Sequence, residues 1–101
     1  MQHRLAGAAS AITAGMAKSF PIDGMDVLVC NVDGSFYAIE DVCTHDGAPL
    51  DQGQLEDKCI VCPRHGATFD VTTGEAITLP AVIPVMTFGV SIEGNDLLVE
   101  C

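Results

Sequence analysis

Basic residues are scarce in this sequence of 101 residues. Four lysines and arginines stand against fourteen aspartates and glutamates, which gives a formal charge of −10. Because phosphate groups are bound by clustered Lys and Arg side chains, nucleic acids and anionic membranes are not expected as partners. A basic patch on a protein partner is one explanation of the acidity, and simple solubility is the other.

A long apolar run is also absent. Residues 5–17 are mostly Ala, Gly, Ser and Thr, which is too weak for the core of a signal peptide, and the segment is too short to span a bilayer. The sequence has no Rossmann glycine motif and no 2-His-1-carboxylate set, so nothing in it indicates hydride transfer from a nicotinamide or oxygen activation. An enzyme acting alone is therefore not expected.

Two short segments each carry one thiolate and one imidazole. They read Cys-Thr-His and, sixteen residues later, Cys-Pro-Arg-His. Two Cys and two His fit a [2Fe–2S] cluster in which imidazoles replace two thiolates on one iron. In such a site Cys43 and Cys62 hold the inner iron, and His45 and His65 hold the outer one.

Glycine and proline flank these ligands. Gly47 and Gly66 lack a Cβ, which lets the backbone approach a cofactor and direct N–H groups at its sulfurs. Pro49 and Pro63 stiffen the same segments because proline fixes φ. Both segments are therefore predicted to be rigid loops.

The other three cysteines are Cys30, Cys59 and Cys101. Cys30 and Cys59 lie in apolar runs, where a free thiol behaves as a small buried hydrophobe. We therefore expect reduced thiols and a cytoplasmic protein. Cys59 and Cys62 also have the Cys-x-x-Cys spacing of dithiol redox sites, but no βαβ pattern surrounds them to support that interpretation.

The residue pattern in the rest of the chain is typical of strands joined by tight turns. Asp-Gly pairs at 23–24 and 33–34 predict two hairpins. The alternation of Val27 and Val29 on one strand with Phe36 and Ala38 on the next predicts a half-buried sheet. No helix is strongly coded, so the predicted fold class is all-β. The expected strands are 20–22, 25–31, 35–40, 59–62, 67–71, 85–93 and 96–100.

Two loops are predicted between these strands. Residues 50–57 form a polar connection with Gly53 at its tip. Residues 79–84 cannot form a central strand, because Pro80 and Pro84 have no N–H to donate.

The ligand segments resemble the Rieske iron–sulfur proteins. Residues 42–50 (Val-Cys-Thr-His-Asp-Gly-Ala-Pro-Leu) and 62–70 (Cys-Pro-Arg-His-Gly-Ala-Thr-Phe-Asp) are most similar to small soluble Rieske-type ferredoxins of bacterial non-haem iron, ring-hydroxylating oxygenases. The resemblance covers nearly the whole chain, and it implies a first strand at residues 2–8, where the alanine content alone would favour a helix. It implies an antiparallel β-sandwich or small barrel, with a basal sheet domain of residues 1–41 and 70–101 and an inserted cluster-binding lobe of residues 42–69.

Two departures favour the ferredoxin subclass. Respiratory and photosynthetic Rieske proteins pair an extra cysteine from each ligand loop in a disulfide, where this chain has Ala48 and Arg64. They also direct Ser and Tyr hydroxyls at the site, where this chain has Ala67 and Phe69. Fewer donors to sulfur disfavour the more negative reduced state, so we expect a potential near the low end of the Rieske range of roughly −150 to +300 mV.

The resemblance implies a one-electron carrier. Its expected partners are an NAD(P)H-dependent flavin reductase and a terminal oxygenase of aromatic hydrocarbon catabolism. It also implies that residues 79–84 pack over the cluster. Asp41, Asp46 and Asp70 flank the site and are expected to be turn-forming or solvated carboxylates.

Two alternatives remain open. One is an electron-transfer subunit of another oxidoreductase, such as a nitrite reductase. The other is a structural zinc module with the same ligands, although Cys-x-His is tighter than the usual spacing in zinc fingers.

Overall fold

The computed structural model describes residues 3–44, 47–64, 66–79 and 83–100, with side chains from Leu5 onward. Apart from a single 3-10 turn at Ala9–Ala11, the regular structure of these residues is β, which confirms the predicted fold class. The strands are β1 (His3–Ala8), β2 (Ala17–Ile22), β3 (Met25–Val32), β4 (Ser35–Glu40), β5 (Leu55–Glu56), β6 (Cys59–Val61), β7 (Thr68–Asp70), β8 (Thr87–Glu93) and β9 (Asp96–Glu100).

Both predicted Asp-Gly hairpins are present. Asp23 and Gly24 have φ of 52° and 80°, and Asp33 and Gly34 have φ of 53° and 93°. Two successive positive φ values give the tight turn whose twist matches that of the flanking strands. These turns join β2 to β3 and β3 to β4 in antiparallel register.

The largest sheet has six antiparallel strands in the order β1-β9-β8-β4-β3-β2. Its outer strands also approach each other, because Gly7 on β1 lies against the ring of Phe20 on β2. A Cβ at Gly7 would come within 2.7 Å of that ring. The sheet is therefore nearly closed, as the predicted small barrel requires.

Strand β3 is buried on both faces, and the prediction of a half-buried sheet is wrong there. Val27 and Val29 face the barrel interior with Leu97. Leu28 and Cys30 face the opposite way, into a second core cluster. The reason is that the segments after β4 fold back over the outer face of β3 and β4. That second cluster contains the predicted thiolate ligands.

A three-stranded sheet in the order β5-β6-β7 covers this outer face. The two-residue strand β5 lies in the segment predicted to be a polar connection, and it pairs with β6. Gly53 is not an open tip, because a Cβ there would overlap the carbonyl oxygen of Val61. The connection is therefore packed against β6.

Candidate metal centre

Cys43 and Cys62 are both buried, with exposures of 0% and 1%. Cys43 follows the end of β4, and Cys62 follows β6 directly. Both belong to the second core cluster, together with Leu50 and Phe69. The fold thus brings the two predicted thiolate ligands into one apolar environment.

The first ligand loop, residues 43–48, closes on itself through backbone hydrogen bonds. The N–H of Cys43 donates to the carbonyl oxygen of Ala48 over 2.7 Å. The N–H of Gly47 donates to the carbonyl oxygen of Cys43, also over 2.7 Å. Gly47 has a φ of 77°, a conformation that favours glycine.

The second ligand loop, residues 62–67, repeats this pattern. The N–H of Cys62 donates to the carbonyl oxygen of Ala67 over 2.7 Å, and that of Gly66 donates to Cys62 over 3.0 Å. Gly66 has a φ of 75°. The two loops therefore present their cysteines from equivalent turns, although the predicted histidine follows at a different spacing in each.

Two of the four predicted ligands, His45 and His65, lie outside the described residues, as does Asp46. Their roles stay predictions. The described half of the ligand set fits a metal cluster, because a thiolate buried among apolar side chains needs a cation to balance its charge.

A segment between β7 and β8, residues 77–86, is tied to both ligand loops. The Thr44 hydroxyl donates to the carbonyl oxygen of Ile83 over 2.6 Å. The hydroxyl of Thr78 accepts from the N–H of Thr68 over 3.0 Å, just after the second loop. These contacts place the segment beside the ligand loops, and the expectation that it covers the cluster stays a prediction. Within it Pro80, along with residues 81 and 82, lies outside the described residues.

Asp70 is turn-forming, as expected, whereas Asp41 bonds across the first ligand loop. Asp41 is half-buried, and its Oδ1 accepts from the N–H of Leu50 over 2.7 Å. Asp70 is only 4% exposed and accepts from both the N–H and the hydroxyl of Thr72. Burial raises the pKa of Asp70, but the bonds from Thr72 and the charge of Lys58, 3.4 Å away, outweigh it and leave the pKa below its usual value. The contact of Asp70 with Thr72 is local to the turn, whereas the acceptor role of Asp41 has no signal in the sequence because it depends on where the fold places Leu50.

The remaining described thiols, Cys30 and Cys59, are free. Cys30 is fully buried as predicted, and burial, followed by the charge of Asp41, raises its pKa to about 12. Cys59 is only half-buried, contrary to expectation, because it lies on the less covered face of β6. Burial, then Asp70, raises the pKa of Cys59. Cys101 lies outside the described residues.

The Cys-x-x-Cys interpretation is not supported by the geometry of β6. Ile60 is fully buried, whereas Cys59 and Val61 are half-buried. Since neighbouring residues of a strand face opposite sides, Cys59 faces away from the core cluster that contains Ile60 and Cys62. This arrangement argues against a dithiol pair.

The ligand loops and the strands around them match a known protein family. The family model described as the Rieske [2Fe-2S] domain matches residues 3–89. The chain belongs to the Rieske family. Over 74 residues it is 49% identical to the ferredoxin component of biphenyl 2,3-dioxygenase from Rhodococcus jostii, covering 73% of this chain and 69% of that protein.

Solved Rieske ferredoxins have the same fold. The ferredoxin of carbazole 1,9a-dioxygenase from Nocardioides aromaticivorans superposes with a TM-score of 0.93 at 33% identity, over 99% of this chain and 98% of its own. A ferredoxin solved in complex with the oxygenase of carbazole 1,9a-dioxygenase gives a TM-score of 0.92 at 33% identity, over 97% and 92% of the two chains.

These findings confirm a Rieske-type ferredoxin with one [2Fe–2S] cluster, and they count against the zinc module. The relatives are named as ferredoxin components, which are electron carriers of multicomponent dioxygenases and not catalytic enzymes. In the part of the chain that the structure describes, no helix has the length and hydropathy that crossing a membrane needs.

Proposed function

We propose that this Rieske ferredoxin carries electrons, one at a time, from a reductase to the terminal oxygenase of a ring-hydroxylating dioxygenase. The observation that carries the proposal is the pair of equivalent loops that bury Cys43 and Cys62 in one core cluster. The relatives that share this fold serve dioxygenases, which supports the choice of partner.

Cys43, His45, Cys62 and His65 are the proposed cluster ligands. When bound, the cluster supplies a centre that accepts and releases one electron. The thiolates of Cys43 and Cys62, which lie in the core cluster, would hold the inner iron. The imidazoles of His45 and His65 would hold the outer iron, on the side expected to meet the docking partner.

The ligand charges set how readily this site takes an electron. Neutral imidazoles replace two thiolates, so the protein contributes two negative charges in place of four. Adding one more negative charge in an apolar environment is then less unfavourable. Leu50, Ile60 and Phe69, all fully buried, keep water from the inner side of the site.

The expected electron donor is an NAD(P)H-dependent flavin reductase, and the expected compartment is the cytoplasm. The free thiols of Cys30 and Cys59 suit a reducing compartment. The formal charge of −10 suits partners with basic docking faces. We also retain the proposed division into a cluster-binding lobe of residues 42–69 and a basal domain of residues 1–41 and 70–101.

Reconstitution tests this function. The purified protein is added to NADH and to the reductase and oxygenase components of a biphenyl 2,3-dioxygenase, and hydroxylated product is measured. We expect product only when the ferredoxin is present, and not when Cys43→Ser replaces it. A cluster-containing protein that the reductase cannot reduce would contradict the proposed electron donor.

A further inference from the structure

The two ligand loops are closed in different ways at their bases. When Cys43 is aligned with Cys62, and Ala48 with Ala67, residues 41 and 50 correspond to residues 60 and 69. In the second loop, Ile60 and Phe69 are paired in the β6–β7 ladder. In the first loop the same position is closed by a side chain, since Oδ1 of Asp41 accepts from the N–H of Leu50 over 2.7 Å.

Closing a loop in this way needs only a hydrogen-bond acceptor, which a neutral Asn or Ser also provides. A carboxylate adds a negative charge, and here it is half-buried, two positions before Cys43. The backbone holds it there, because the N–H of Asp41 donates to the carbonyl oxygen of Asp26 over 2.9 Å at the end of the β3–β4 ladder. The second loop has an uncharged isoleucine at the corresponding position.

We propose that Asp41 is a positioning residue that fixes the first ligand loop and, through its charge, lowers the reduction potential of the cluster. The proposal rests on the proposed role of Cys43 as a ligand. A fixed negative charge beside the loop opposes the addition of an electron, by the same Coulomb repulsion that opposes ionisation of an acid. Asp41 therefore makes the protein a stronger electron donor.

The charge of Asp41 also affects a buried thiol, that of Cys30. The Cys30 thiol lies in the same core cluster as Cys43 and Cys62. Burial is the larger cause of its raised pKa, and the charge of Asp41 is the second. The field of Asp41 thus extends into the cluster of side chains that surrounds the ligand thiols.

Redox titration of the purified, cluster-loaded protein tests the proposal. Asp41→Asn keeps a carbonyl acceptor for Leu50 and removes the charge. Asp33→Asn is the matched control, because it makes the same charge change at the exposed turn at the opposite end of β4, where Asn tolerates the positive φ. At a fixed potential we expect Asp41→Asn to raise the ratio of reduced to oxidised protein by about 3- to 10-fold, and tenfold corresponds to 59 mV for one electron. The control should change this ratio much less.

Equal ratios in Asp41→Asn and the control would overturn the proposal. Asp41→Ser is a second neutral variant in case the first does not load its cluster. If both neutral variants lose the cluster while Asp41→Glu keeps it, Asp41 serves assembly and the proposed effect on the potential is wrong. A wild-type protein without a Rieske spectrum would instead contradict the proposed function, so the two failures are distinguishable.

Discussion

The hydroxyl of Thr44 donates a hydrogen bond to the carbonyl oxygen of Ile83 over 2.6 Å. Thr44 lies between two proposed ligands, and Ile83 is an exposed residue of the segment between β7 and β8. This bond joins the first ligand loop to the segment that is expected to cover the cluster. One attachment of the expected cover is therefore a side chain within the Cys-x-His motif.

Replacing Thr44 with valine tests this attachment. Valine keeps the shape of threonine and loses the hydroxyl, so we expect a loss of about 0.5–1.5 kcal/mol in the free energy of unfolding, typical of one hydrogen bond. The cluster should also bleach faster in air. The exposed Thr87→Val on β8 is the control, and a bleaching rate of Thr44→Val equal to that of the control would contradict the account.

Gly53 is expected to tolerate no side chain. A Cβ there would overlap the carbonyl oxygen of Val61, which belongs to the strand that leads to Cys62. We expect Gly53→Ala to lower the free energy of unfolding by about 3 kcal/mol and to reduce the iron content. Denaturant unfolding and iron analysis measure the two effects.

Gly94→Ala provides the comparison for this variant. Gly94 has a φ of 65° and open space where a Cβ would lie, so alanine there meets backbone strain without a clash. We expect a cost of only about 1–2 kcal/mol and no loss of iron. Equal effects of the two substitutions would show that Gly53 is only a flexible connection.

Cys30 should make stability depend on alkaline pH. Burial, assisted by Asp41, raises the pKa of this thiol from 9.0 to about 12 in the folded protein. A thiol with a raised folded pKa gives stability that is complete below the unfolded pKa and is lost as pH rises from there toward the folded value. The expected loss approaches about 1.4 kcal/mol for each pH unit above 9.

Comparison of wild type with Cys30→Ala isolates this effect. At pH 8 the wild type should be more stable, because alanine leaves a small cavity. Urea unfolding at pH 8, 9 and 10 should show this advantage shrinking as pH rises. An advantage that stays constant across this range would mean that the Cys30 thiol ionises equally in both states.

Local chemistry predicted much of the fold. The Asp-Gly turns at 23–24 and 33–34 are encoded by residues that favour positive φ, so both hairpins could be read directly. The prolines at 80 and 84 excluded a central strand. The predicted thiolate ligands Cys43 and Cys62 both lie in one buried cluster.

What the sequence could not reveal depends on distant contacts. The alternation of Val27 and Val29 predicts burial of only one face of strand β3. The other face is covered by residues that come later in the chain. The acceptor role of Asp41 requires the position of Leu50, and the burial of Asp70 requires the β6–β7 pairing.

The central claim is that Cys43 and Cys62 hold one iron of a [2Fe–2S] cluster and that His45 and His65 hold the other. The most direct test is the low-temperature EPR spectrum of the dithionite-reduced protein, purified without oxygen, for wild type, His45→Ala and His65→Ala. We expect the low average g value of a ferrous iron bound by nitrogen in the wild type, and its loss in both variants. A native Rieske signal in both variants, or a colourless wild-type protein with stoichiometric zinc, would contradict the account.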